Sequence, residues 1–291
     1  MKEYTMEVIR SASDKFAREV TGMASRSLVL PTVITLAAVS VAGHDLFLKL
    51  DSYFLVPSAK AKVQMLNGTF QSSDGIVRRD RMQDVSFIAP DTEVSAVKSI
   101  SWLDLQKTTT MEIQTGRPGT YVVGISTKPR EIDLKAADFN DYLKHDGIPD
   151  ILAKRAKDGE LGKDIRERYS KHVRAIFQVG TALTEEYSTS LHYPVEIIPQ
   201  SNPYSLKVGQ TLPVLCTLDG NPLVNQFVIA GWESVDGKLH SLDMRTDAKG
   251  ITRFKLMAAG KWYVKIIHMA ASNEPGINYE SKWATVTFQF R

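Results

Sequence analysis

Six histidines and one cysteine hold most of the metal-ligating capacity of this 291-residue sequence. Cys216 stands alone, so an intrachain disulfide and a multi-cysteine zinc site are both excluded. Any bound metal must therefore be held by His, carboxylate or backbone groups. Two histidines stand where ligands can converge: His44 follows a stretch that reads as a cleaved leader, and His268 ends the apolar run KWYVKIIHM just before a polar loop. Two imidazoles sharing one ion need ring nitrogens about 4 to 5 Å apart, because each ligand bond is about 2.0 to 2.1 Å. Asp45, directly after His44, and Glu280, across an expected loop from His268, are the plausible carboxylate helpers, suited to complete the ligand set or to orient a ring. By strict alternation His268 shares a strand face with Trp262, Val264 and Ile266, which also suits a buried, hydrogen-bonded histidine.

The other histidines, His145, His172, His192 and His240, fall in helical or loop contexts and form no HExxH or HxxxH spacing. GxSxG, GxxxxGK[ST] and GxGxxG are likewise missing, so neither a hydrolase elbow nor a nucleotide loop is written here. Cys216 alternates with apolar neighbours in TLPVLCTL and reads as a small buried hydrophobe. Trp232, Trp262 and Trp283 fall in strand patterns and are expected to fill the C-terminal core.

The elements that must position these residues begin after a leader. From Leu28 to Ala42 runs an uncharged apolar stretch of about 15 residues ending in small residues, a signal-peptide pattern over 1–43 with Met23 as the expected true start. It is shorter than the roughly 20 residues a membrane span needs, so no stable span is expected once it is removed. Cleavage after Gly43 would leave the His44 amine and ring to chelate one metal together. Cleavage after Ala42 would place His44 second, where amine, backbone nitrogen and imidazole suit square-planar Cu(II) or Ni(II).

From His44 to about residue 130, short alternating runs separated by Gly, Pro, Asn and Asp predict an N-terminal β-sandwich with Phe47, Val63, Met65, Phe87, Ile88, Tyr121 and Val123 inward. Residues 131–190 predict a helical insertion of three helices, the third over KDIRERYSKHVRAIFQVG with Ile165, Tyr169, Val173, Ile176 and Phe177 as its apolar stripe. Lys and Arg outnumber acids between Lys154 and Arg174, which suits a solvated face or docking to an acidic partner. Residues 191–291 return to strands and predict an immunoglobulin-like β-sandwich, giving a mainly β chain. With 36 basic and 33 acidic residues, the net charge of +3 argues against nucleic acid as partner.

HDLFLKLDSYFL, RERYSKHVRAIFQVG, VEIIPQSNPYSLKVGQTLPVLCTLDGNPL, RTDAKGITRFKL and GKWYVKIIHM together resemble a family of bacterial secreted proteins of unknown function that once carried a NikM-like label, for a nickel or cobalt uptake component. The resemblance implies the same three-part fold, matches the family's opening His to His44, and matches the His of its late motif to His268. It implies a periplasmic or secreted metal-binding accessory protein capturing nickel, cobalt or copper, with no organic cofactor, for a membrane metal importer. Two other readings stand beside it. One is a non-enzymatic adhesion or scaffold module for protein or glycan; the other is a copper oxidase using an N-terminal histidine brace.

Overall fold

Alternating apolar residues between glycine- and aspartate-bearing turns build strands along nearly the whole chain. The computed structural model describes residues 44–90, 95–96 and 100–291; the expected leader lies outside them. The N-terminal part comprises β1 (Asp45–Leu50), β2 (Phe54–Leu55), β3 (Lys60–Gly68), β4 (Ser73–Gly75), β5 (Met82–Ile88), β6 (Ser95–Ala96), β7 (Ile100–Leu105), β8 (Thr108–Gln114), β9 (Gly119–Thr127) and β10 (Arg130–Leu134). Helices α1 (Ala136–His145) and α2 (Pro149–Lys157) follow, then the long strand β11 (Ile165–Val179). The C-terminal part adds β12 (Val195–Pro199), β13 (Thr211–Leu218), β14 (Asn221–Pro222), β15 (Phe227–Glu233), β16 (Leu239–Arg245), β17 (Ile251–Lys255), β18 (Gly260–Ala271) and β19 (Tyr279–Phe290).

The chain is mainly β and forms an N-terminal sandwich and a C-terminal immunoglobulin-like sandwich, but the two share one sheet. Its strand order is β16-β15-β18-β19-β11-β9-β5-β6, with β10 and β2 paired to β11. A smaller sheet, β1-β3-β8-β7 with β4 beside β3, covers one face of the N-terminal part; β12-β13-β14 with β17 beside β13 covers the opposite face of the C-terminal part. The join is a parallel ladder in which Glu167–Ala175 of β11 pairs Tyr279–Thr287 of β19.

Side-chain alternation sorts the layers. Odd-numbered residues of β9 and β11 (Tyr121, Val123, Val173, Ala175, Phe177) pack on Leu46, Leu48, Val63 and Met65 of the N-terminal sheet. Even-numbered residues of β18 and β19 (Trp262, Val264, Ile266, Val286, Phe288) pack on Val195, Val214 and Phe254 of the C-terminal sheet. The odd face of β18 and β19 carries Ile267, Met269 and Trp283 against Phe139, Tyr142 and Leu143 of α1. So Trp262 and Trp232 join the C-terminal core while Trp283 packs under the helices. Ile88 joins the C-terminal core, and Phe47 stacks edge-on with Phe70 and Tyr263 at 5.3 and 5.2 Å.

The third predicted helix is corrected: its residues form β11, and the helical part of the insertion is α1 and α2 alone. Every residue of β11 from Ser170 to Val179 is buried, so both faces are covered and the alternation that marks a half-exposed strand is erased. His172 accordingly lies in a strand opposite Ala284, rather than beside a helix stripe.

Candidate functional site

Among the described residues strand β1 pairs only with β3, which leaves its second edge to be satisfied within the protein interior. Side chains of the shared sheet do this. Lys171 Nζ donates to the His44 carbonyl, Thr285 Oγ1 donates to the Leu46 carbonyl at 2.8 Å, and Thr287 Oγ1 donates to the Leu48 carbonyl. The three donors stand on the odd face of β11 and β19, and the three carbonyls recur at the two-residue period of an extended chain.

Around this seam lies a cluster of buried ionisable groups. Lys265 Nζ donates to Asp45 Oδ2 at 2.7 Å and to Asp146 Oδ1 at 3.3 Å, which ties β18 to β1 and to the end of α1. Burial by itself would lower the Lys265 pKa, but the attraction of Asp45 and Asp146 outweighs it and the value is raised. Asp146 is raised too, chiefly by burial. The second Asp45 oxygen, Oδ1, is buried without a hydrogen-bond partner.

Lys171 is 7% exposed and lies over the rings of Trp283 and Tyr169, at 5.1 and 5.7 Å. Burial pushes its pKa down to about 8, with Arg81 adding to the fall and Asp45, Asp146 and Glu167 opposing it. Glu167, 2% exposed, accepts hydrogen bonds from Tyr142 Oη at 3.2 Å and from Ser281 Oγ, and burial lifts its carboxyl to about 7. Trp283 Nε1 donates in turn to Ser281 Oγ at 2.9 Å.

The four residues expected to hold a metal divide between the two faces of the shared sheet. His44 immediately precedes β1, and its Nδ1 lies 3.1 Å from Asp74 Oδ2 at a half-exposed site. Asp45 is committed to Lys265 on the odd face of β18. His268 is three residues beyond Lys265 on the same unbroken strand and therefore projects from the opposite face. Its Nδ1 meets Gln226 Oε1 at 3.2 Å, and its pKa is lowered by burial and by Lys282. Glu280 shares that face with His268, but Lys282 stands opposite His268 and donates to Glu280 at 3.0 Å. Each of the four thus has its own partner, Asp74 for His44, Lys265 for Asp45, Gln226 for His268 and Lys282 for Glu280. Among the described residues no group of three or more His, Cys, Asp or Glu side chains is arranged to hold a metal ion.

Two further buried polar groups fasten layers. His172 shares hydrogen bonds with Ser126 Oγ at 2.9 Å and Ser170 Oγ at 3.0 Å, and burial drops its pKa to about 4. Arg174 pairs with Glu196 of β12, both 3% exposed, and Glu196 also accepts the Leu191 amide at 2.8 Å. Cys216 lies in the C-terminal core with its thiol pushed up to about 12 by burial, so it is no nucleophile at neutral pH. Lys171, Lys265, Glu167 and Tyr142 escaped the sequence reading. Their signal was a charge inside an apolar strand run, as in YVKIIHM, and a helical reading of residues 165–179 sends such charges to solvent.

Residues 41–270 match the model of a family described as "Domain of unknown function (DUF4198)". No curated protein matches the chain. Among solved structures, the "D0-D1 domain of Intimin" is similar at 13% identity and a TM-score of 0.20, covering 83% of this chain and 96% of that one. A "tetra-tandem repeat in extending region of large adhesion protein" is similar at 9% identity and a TM-score of 0.22, covering 85% of this chain and 49% of that one.

Proposed function

We infer that this chain, which belongs to the family of that domain of unknown function, is a non-enzymatic binding or scaffold module of the cell exterior or periplasm. The observation that carries this reading is the shared sheet. One ladder of nine residue pairs, Glu167–Ala175 with Tyr279–Thr287, makes the two sandwiches a single body. Four of its strongly perturbed ionisable groups, Lys171, Lys265, Glu167 and His172, lie between layers and bond to their neighbours. Perturbed groups that open to a cleft suit catalysis; the same groups buried and mutually satisfied suit fastening. Joint ligation of one nickel, cobalt or copper ion by His44 and His268 is opposed by their departure from opposite sides of the shared sheet.

The test is thermal unfolding of the secreted protein with and without stoichiometric Ni(II), Co(II) and Cu(II), alongside His44→Ala and His268→Ala. The module reading expects one cooperative transition for both sandwiches and no metal-dependent shift that requires both histidines. A stoichiometric rise in Tm abolished by either substitution would overturn it and restore metal capture.

A further inference from the structure

Where β1, β3 and β9 meet the start of β11, a cavity of about 120 Å³ opens beside the seam just described. At about 30 Å³ per water, it holds a few waters or one small polar group. Its ionisable lining is cationic: Arg78, Arg81, Arg130 and Lys171, with the Tyr169 ring as an aromatic wall. Arg78 is neutralised by Asp80, which accepts from its Nε and Nη2 at 3.2 and 3.0 Å. Asp80 also lies within Coulombic reach of Arg81 and Arg130, but it is bound to Arg78 and does not line the cavity.

Among the described residues the other three cations form no ion pair with a carboxylate. Arg81 is half-buried with its guanidinium 5.9 Å from the Tyr169 ring centre, and among the described residues neither Arg81 nor Arg130 forms an ion pair. Arg130 is brought to the cavity because it stands opposite Tyr169 in the β10–β11 register. Lys171 is buried and directs its ammonium to two neutral acceptors, the His44 carbonyl and Asn67 Oδ1. The charges also feel one another: after burial, Arg130 is the next cause lowering Arg81, and Arg81 contributes to the fall at Lys171.

Neutral donors complete the setting. Thr127 Oγ1 already accepts the Lys171 amide at 2.9 Å, so its hydroxyl hydrogen is available to donate. Asn67 accepts through Oδ1, which leaves its amide nitrogen to donate into the same cavity. Three converging cations, two neutral donors and an aromatic wall are complementary to a small group that carries negative charge on several oxygens.

We propose that this cavity binds an oxyanion group, a phosphate, sulfate or carboxylate, clamped between Arg81 and Arg130 with Lys171 beneath it. The proposal deepens the binding-module reading by naming a ligand class, and it rests on that reading for its biological sense. The two fail separately, since metal-dependent stabilisation bears on the module alone and anion affinity bears on the cavity alone.

The experiment is isothermal titration of the whole secreted chain with inorganic phosphate, sulfate and glucuronate at constant ionic strength. It compares the native protein with Arg81→Gln, Arg130→Gln and a control, Lys62→Gln, whose exposed side chain lies beside Glu112 on another surface. Melting temperatures confirm that each variant folds. Saturable one-site binding, weakened by about tenfold or more in each arginine variant and unchanged in the control, is the expected result, since one charge-assisted hydrogen bond is worth about a factor of ten. Tighter binding of glucuronate would identify the acidic end of a saccharide as the source, and tighter binding of phosphate or sulfate would identify a free inorganic ion. Heat without saturation, or equal affinity in native and arginine variants, would overturn the proposal. Arg130→Gln, at an exposed strand start, keeps the test valid should Arg81→Gln unfold.

Discussion

Replacing Glu167 by Gln tests whether the seam stores a carboxyl in its neutral form. Burial lifts this carboxyl from 4.5 to about 7, so between those values the folded protein retains a proton that the unfolded chain releases. The stability attributable to Glu167 is therefore full below about pH 4.5 and is lost as pH rises through about 7. At about 1.4 kcal/mol per pH unit, the loss amounts to about 3 kcal/mol. Glutamine keeps an acceptor for Tyr142 and Ser281 and carries no charge at any pH. The variant should thus gain about 3 kcal/mol relative to the native protein between pH 4.5 and pH 8. His172, lowered to about 4, has the opposite sign: its contribution is present above pH 6.5 and lost as pH falls through about 4. Comparing the two proteins at each pH cancels that slope. Urea unfolding followed by tryptophan fluorescence at pH 4.5, 6 and 8 supplies the numbers. A difference between variant and native protein that stays constant with pH would refute the reasoning, because the carboxyl would then titrate alike in both states.

Two other substitutions probe the layers independently. Trp262→Ala should destabilise by about 3 to 5 kcal/mol in urea, since Trp262 is fully buried between Trp232, 4.7 Å away, and Phe288; a loss below about 1 kcal/mol would mean that the C-terminal core does not depend on this ring. The double change Thr285→Val, Thr287→Val removes the two threonine hydroxyls that donate to β1 and should cost about 2 to 4 kcal/mol. Hydrogen exchange should then quicken across β1 and β3 before the rest of the fold, and uniform protection would contradict the seam.

How legible each part was follows from burial. Strands with one wet face announced themselves: β3 alternates buried and exposed residues through Val63, and the Asp219-Gly220, Asp236-Gly237 and Lys249-Gly250 turns supply left-handed positions at φ 78°, 79° and 72° for the glycines. Cys216 and Trp262 declared themselves as core by their apolar surroundings. The strand β11 did not, because a strand covered on both faces loses its period of two. Its Ile165, Tyr169, Val173 and Ile176 then mimic a helix stripe, with Lys171 and Arg174 posing as the solvated side.

The candidate site divides in the same way. Composition and motif content alone ruled out a disulfide framework, a cysteine zinc site and the common nucleotide and hydrolase loops, and alternation alone put His268 on the strand face of Trp262, Val264 and Ile266. Which residues meet was decided by pairing between distant segments. The parallel joining of β11 to β19 set Lys171 beside Trp283, and the docking of β1 on that face brought Asp45 to Lys265 across 220 residues of chain. The same sheet holds His44 and His268 apart. Local sequence encodes the face on which a side chain leaves its strand; only tertiary structure chooses the layer it meets there, because that choice depends on apolar surfaces and backbone edges satisfied far away in the chain.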